Sequence, residues 1–181
     1  MDINQLVNIT TRAWALPILA ALHRGVPGRQ APLLHATGAG RTAFAQSIQH
    51  LIDCGLVERN PGYGHPLRPE FRLTEQGKQT AALSQKIDTA TPASDAPLLR
   101  RTWTVPVLAT LDEPRRFNEI QRGLQTITDR ALSQSLRQLE DRQWIKRTVD
   151  VAAHPPRPLY APINNGAIIS EITRGVLHAP F

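Results

Sequence analysis

Arg130, Ser133, Gln134 and Arg137 are the residues of this chain whose types and spacing suit a chemical task. They fall at i, i+3, i+4 and i+7, so a helix would carry all four on one face. An Arg fork matches the paired acceptors of guanine, and a Gln amide matches the donor and acceptor of adenine, both in the major groove of double-stranded DNA. Leu132, Leu136 and Leu139 share another face at i, i+4 and i+7. The spacing predicts one amphipathic helix over residues 128–146, with Thr128 as its N-cap. The plain alternative is a surface helix with solvated charges.

Other chemistry finds no pattern to stand on. The sequence has no GxSxG, no HExxH, no GxxxxGK[ST] and no glycine fingerprint after a strand. Its six histidines lack metal-ligand spacing, and a single cysteine builds neither a zinc site nor an internal disulfide. No catalytic residue, metal or cofactor is expected, and the chain does not read as an enzyme.

Composition narrows the partner. The 181 residues carry a net charge of +6, which favours a polyanion. Hydrophobic residues make up 41%, enough for a packed core. Aromatics at 5% argue against stacked single-stranded bases. The longest apolar run, residues 15–22, is too short to span a bilayer. The first twelve residues lack the basic start and apolar stretch of a signal peptide. A cytoplasmic, nucleoid-associated protein with no membrane partner is the expectation.

The elements that must position the Arg/Gln face occur twice. Arg12, Trp14, Pro17, Leu19, Ala20 and Leu22 match Arg101, Trp103, Pro106, Leu108, Ala109 and Leu111 at one offset. Gln46, Ser47, Leu51, Asp53 and Arg59 match Gln134, Ser135, Leu139, Asp141 and Arg147, shifted by one residue from the first offset. His65, Pro66, Arg68, Pro69 and Gly77 match His154, Pro155, Arg157, Pro158 and Gly166. Three blocks in one order read as a tandem duplication.

Each copy predicts the same layout. A lead-in helix (residues 3–10 in the first copy) precedes a Trp-bearing helix, 12–23 or 101–111. A break follows at 25–28 or 112–115, then a short helix near 31–36 or 117–124. After a tight turn comes the amphipathic helix. A strand at 56–59 or 144–149 runs through a Pro-rich loop into a second strand at 71–73 or 159–161. A closing helix covers 74–87 or 164–177. Helix, turn, helix and strand pair is the order of a winged helix-turn-helix, whose second helix enters the major groove. The expected fold is mainly α with small β wings: two tandem winged helix-turn-helix domains arranged as a pseudo-dimer. They span residues 1–87 and 96–181, joined by a small, polar linker at 88–95.

In the second copy the residues carry a family likeness. Trp103, RFNEI at 116–120, ITDRALSQSLRQLED at 127–141 and PPRPLYAPINNG at 155–166 together resemble the HxlR-type winged-helix transcriptional regulators. The first copy keeps the frame but reads GRQAPLLH where the second reads RRFNEI. It also presents Thr42, Ala45, Gln46 and Gln49 where the second presents Arg130, Ser133, Gln134 and Arg137. The second copy departs from the usual Leu-Thr start of the closing helix, which the first keeps at Leu73-Thr74. Family members typically carry one winged helix per chain and bind two-fold operators as homodimers. The resemblance therefore implies a monomeric pseudo-dimer, or a homodimer of it.

The resulting expectation is a sequence-specific regulator that binds double-stranded DNA. The alternative is a winged-helix protein-interaction scaffold with only non-specific DNA binding. Arg130, Ser133, Gln134 and Arg137 are the expected DNA contacts of the second copy, and Arg41, Thr42, Gln46 and Gln49 those of the first. Arg68 and Arg157 would act from the wings. Arg116 would touch phosphate or else pair locally with Glu113 or Glu119. Trp14 and Trp103 are core residues by default, or a seat for a small aromatic effector. His65 and His154 are loop residues that pack against proline or touch phosphate, and Cys54 is a half-buried cysteine at a helix end.

Overall fold

The computed structural model describes residues 1–60, 70–151 and 155–177. It is mainly helical, with small antiparallel sheets. The chain divides into two compact units. The first is Ile9–Arg100. The second joins Met1–Asn8 to the chain from Arg101 onward. The boundary falls inside α1 (Ile3–Thr10).

In the first unit, α2 (Ala15–His23), α3 (Gln30–Thr37) and α4 (Arg41–Asp53) lead into β1 (Val57–Asn60) and β2 (Glu70–Leu73), which pair antiparallel with Val57 opposite Leu73. Helix α5 (Glu75–Ala90) then packs against α2. Ile18, Leu19, Leu33, Leu51, Leu83 and Ile87 are essentially fully buried. Phe44 of α4 meets Phe71 of β2 edge to face, with ring centroids 6.2 Å apart. The segment 88–95, expected to be a linker, continues α5 to Ala90, turns once in 3₁₀ form at Ala93–Asp95 and runs into α6 (Ala96–Leu99).

The second unit holds α7 (Thr104–Ala109), β3 (Arg115–Arg116), α8 (Phe117–Leu124), α9 (Asp129–Asp141), β4 (Ile145–Asp150), β5 (Arg157–Pro162) and α10 (Asn164–Leu177). The sheet order is β3-β5-β4. Arg115 stands opposite Tyr160, and Arg147 stands opposite Tyr160 on the other edge. Trp144, 1% exposed, is the largest buried side chain, and Leu108, Leu111, Ile120, Leu124 and Ile169 fill the core around it. Ser170, buried on α10, donates to the Leu111 carbonyl at 2.9 Å.

Three expectations need correction. The Trp-bearing helices start at Ala15 and Thr104, three residues later than expected, with Trp14 and Trp103 at the N-cap. The reason is Pro17 and Pro106. Proline has no N–H, so it sits where the helix needs none, in the first turn. The first bond of each helix is donated by the residue after it: Ile18 N–H to Trp14 O at 3.0 Å and Val107 N–H to Trp103 O at 2.9 Å. The break at 112–115 is also not all loop, because Arg115 and Arg116 form β3.

The third correction concerns the helix expected over 128–146, which ends at Asp141. Gln143 turns left-handed at φ 57°, Trp144 N–H bonds Leu139 O at 2.8 Å and Gln143 N–H bonds Glu140 O at 2.9 Å. That is a Schellman stop, and it drives Trp144 into the core. Helix α4 stops the same way: Gly55 has φ 70°, Leu56 N–H bonds Leu51 O at 3.0 Å and Gly55 N–H bonds Ile52 O at 2.9 Å.

A second clamp holds each stop. Thr74 Oγ1 donates to Gly55 O at 2.7 Å, and Asn164 Nδ2 donates to Gln143 O at 2.9 Å. Asn164 therefore does in the second unit what Thr74 does in the first. The closing helices approach so closely that a Cβ on Gly77 would overlap the Leu56 carbonyl, and one on Gly166 the Trp144 carbonyl.

Candidate nucleic-acid interface

Helix α9 has two faces that its sequence dictates. Leu132, Leu136 and Leu139 are 0%, 2% and 0% exposed. Each such side chain removed from water contributes roughly 1.5–3 kcal/mol, which fixes the rotation of the helix about its axis. Arg130, Ser133, Gln134 and Arg137 are consequently all exposed. Among the described residues, neither Arg130 nor Arg137 has a carboxylate partner, so no internal ion pair competes for their donors.

The turn before α9 sets where that face begins. Thr128 caps the helix, its hydroxyl accepting from Ala131 N–H at 3.3 Å. Ile127, 4% exposed, pins the turn to the core. Gln125 lies at φ 55°, ψ −52°, and Thr126 N–H reaches Leu124 O at 2.5 Å, so the corner is a tight three-residue turn of a strained kind. Gln121 of α8 hydrogen-bonds Asp129 of α9, tying the two helices across it.

Helix α4 keeps the back and changes the front. Phe44, Ile48 and Leu51 are buried. Arg41, Thr42, Ala45, Gln46 and Gln49 are exposed. Gln49 is engaged at both ends of its amide: Nε2 donates to Asp53 Oδ1 at 2.8 Å, and Oε1 accepts from Arg59 at 2.9 Å. At the end of α4, Cys54 is half-buried, with Sγ 3.7 Å from His50 Nε2. Burial, and then the charge of Asp53, pushes its thiol pKa up, which disfavours the reactive thiolate.

A second group of cations surrounds the start of α8. Arg116, Arg122 and Arg157 line a cleft of about 330 Å³ with Phe117, Asn118, Pro158 and one carboxylate, Glu119. Of the two local ion-pair partners that are the alternative to a phosphate contact, Arg116 takes neither Glu113 nor Glu119 with its guanidinium. Its guanidinium meets Asp150 Oδ2 at 3.2 Å, while Glu119 accepts the Arg116 backbone N–H at 2.7 Å. The sequence hides this partner because β4 brings it from 34 residues away. Arg122 is absent from the residues the sequence singles out; its place one turn after Asn118 on a short helix is the signal that points to it. Arg157 is exposed at the start of β5, opposite Asp150. Arg68, His65 and His154 lie outside the described residues.

Just before α8, Arg115 binds Asp112 through Nη2 at 2.6 Å and Nε at 2.9 Å. Burial pushes the Asp112 carboxyl up, but the hydrogen bonds and charge of Arg115 outweigh it and hold the pKa below the ordinary carboxylate value. The same hydrogen bond raises that of Arg115.

The two tryptophans part company. Trp14 is half-buried, and the Arg100 guanidinium lies over its ring, 4.8 Å from the centroid. Trp103, also half-buried, lines a small cleft with Arg101, Thr102, Ala131, Gln134, Ser135 and Gln138. No helix among the described residues is long and apolar enough to cross a membrane.

Comparison with curated proteins gave no match, and neither did comparison with solved structures. The family models gave one: residues 98–177, which hold α7 to α10 and the sheet, match the HxlR-like helix-turn-helix family, whose members are typically DNA-binding transcriptional regulators rather than enzymes.

Proposed function

We propose that this chain is a sequence-specific, double-stranded DNA-binding transcriptional regulator in which α9 reads base edges in the major groove. The observation that carries the reading is the front of α9: four hydrogen-bonding side chains, all exposed, on a helix whose rotation three buried leucines fix. Arg130, Arg137 and Gln134 supply the bidentate groups, and Ser133 a hydroxyl between them. Arg116, Arg122 and Arg157 supply charge for the phosphate backbone.

The reading extends to the first unit. The repeated sequence blocks, the shared Schellman stops and the shared close-approach glycines support a tandem duplication, with α4 as a second recognition helix. Arg41, Thr42, Gln46 and Gln49 are then its weaker reading face. The chain would act as a fused dimer on an imperfect palindrome, its half-sites about one helical turn apart. The test is selection of bound duplexes from a random library at near-physiological salt. A motif with two unequal half-sites is the expected outcome. A featureless pool whose binding collapses with salt would overturn the reading in favour of an interaction scaffold.

A further inference from the structure

The residues repeated around the two tryptophans are of two kinds. Leu19 and its counterpart Leu108 are buried in both copies, Ala20 is buried in the first and Leu111 in the second, and the prolines set the helix starts. Packing explains them. Arg12 and Arg101 are repeated as well, yet both are exposed, and packing explains neither. Arg101 stands at the cleft beside Trp103.

That cleft has a one-sided chemistry. Arg101, Thr102 and Trp103 form one wall, and Ala131, Gln134, Ser135 and Gln138 of α9 the other. A guanidinium, two hydroxyls, two amide groups and an indole N–H can all donate, and no carboxylate lies among these residues. Its volume of about 130 Å³ is well below the roughly 300 Å³ at which small-molecule pockets begin. A drug-sized effector does not fit it; a single phosphodiester group does. Gln134 belongs both to this cleft and to the front of α9, so the cleft is continuous with the surface assigned to bases.

We propose that Arg101, with Thr102 and Trp103, seats a backbone phosphate of the duplex that α9 reads. This rests on the reading of α9 given above. The seat lies on the α7 side of the recognition helix, apart from the arginine cluster at the start of α8. It fixes how deep and at what register Gln134 meets the bases. In the first unit the corresponding ring already carries Arg100, so the seat is specific to the unit with the stronger front.

The experiment measures binding of labelled selected and shuffled duplexes, across a salt series, by the parent, by Arg101→Gln and by Lys86→Gln. Lys86 is an exposed cation on α5 of the first unit and reports the loss of one charge outside the unit that holds the seat. Arg101→Gln is expected to weaken both duplexes by the same factor, about tenfold, and to lower the salt slope by about one. Lys86→Gln should move affinity by less than about twofold. Excess inorganic phosphate should not reproduce the Arg101→Gln effect; if millimolar phosphate does so with the parent, the seat takes free anions and the assignment to DNA fails. Equal behaviour of Arg101→Gln and Lys86→Gln would also overturn it, as would loss of binding to the selected duplex alone. If the parent prefers no duplex, the reading of α9 has failed, while the salt slope of Arg101→Gln still tests the phosphate seat. Unchanged thermal unfolding of Arg101→Gln separates contact from folding.

Discussion

Helices α4 and α9 share a back and differ in front. Both bury three apolar residues at matching positions, and both end in a Schellman stop held by a side chain from the closing helix. On the front, α9 shows two arginines without acidic partners among the described residues, while α4 shows Gln49 committed to Asp53 and Arg59. A frame built from packing and backbone geometry thus tolerates wide change in what it displays. The residues that hold such a helix in place are not the residues it displays, and the two sets can be tested separately.

The largest expected effect concerns the frame. Gly77→Ala and Gly166→Ala each drive a methyl into a backbone carbonyl that cannot move without parting strand from helix. Each should cost about 3 kcal/mol of stability, by chemical denaturation, since overpacking against backbone lies at the top of its usual range. A large loss at one glycine and none at the other would break the likeness of the two frames.

The fronts come next. Arg130→Ala and Arg137→Ala should each cost about 1–3 kcal/mol in discrimination between selected and shuffled duplexes, if each arginine reads a base. Gln46→Ala and Gln49→Ala should cost less, because Gln49 must first leave Asp53 and Arg59. Equal losses from both helices would erase the asymmetry.

A smaller effect sits at the stops. Gln143 holds a left-handed conformation that glycine adopts freely, as Gly55 does in α4. Gln143→Gly should therefore raise stability by up to about 1 kcal/mol, and Gly55→Gln should lower it by a similar amount.

The smallest is a pH effect confined to the second unit. The Asp112 pKa is depressed in the fold, so its pairing with Arg115 contributes stability above the unfolded carboxylate value near 4. That contribution fades as pH falls through the lower folded value. Asp112→Asn should unfold at a lower temperature than the parent at pH 6, and the gap should close below about pH 4. A gap independent of pH would assign Asp112 a purely steric role.

What the sequence could show follows from distance along the chain. The limits of α8 and α10 and the Thr128 cap were legible because caps and helical periodicity are local. The exposed front of α9 was legible for the same reason: leucines at i, i+4 and i+7 leave one face free. The apolar spacing of α9 runs on past its end to residue 146, because Gln143, a non-glycine residue, gives no sign of turning left-handed. Strand β3 exists only because β5 arrives beside it, and the Asp150 partner of Arg116 arrives on β4. The corners at Pro17 and Pro106 were readable in principle: a proline inside an apolar run marks the first turn of a helix.

The division of α1 between the two units has a consequence for how the chain is made. Met1–Asn8 belongs with residues from Arg101 onward, yet the ribosome delivers it long before them. Everything from Ile9 to Arg100 can reach its final contacts while those eight residues wait. Their docking closes the longest loop in the molecule and so is expected among the last events of folding. A stalled or truncated chain would then leave Leu6, fully buried in the finished protein, exposed to water and to proteases.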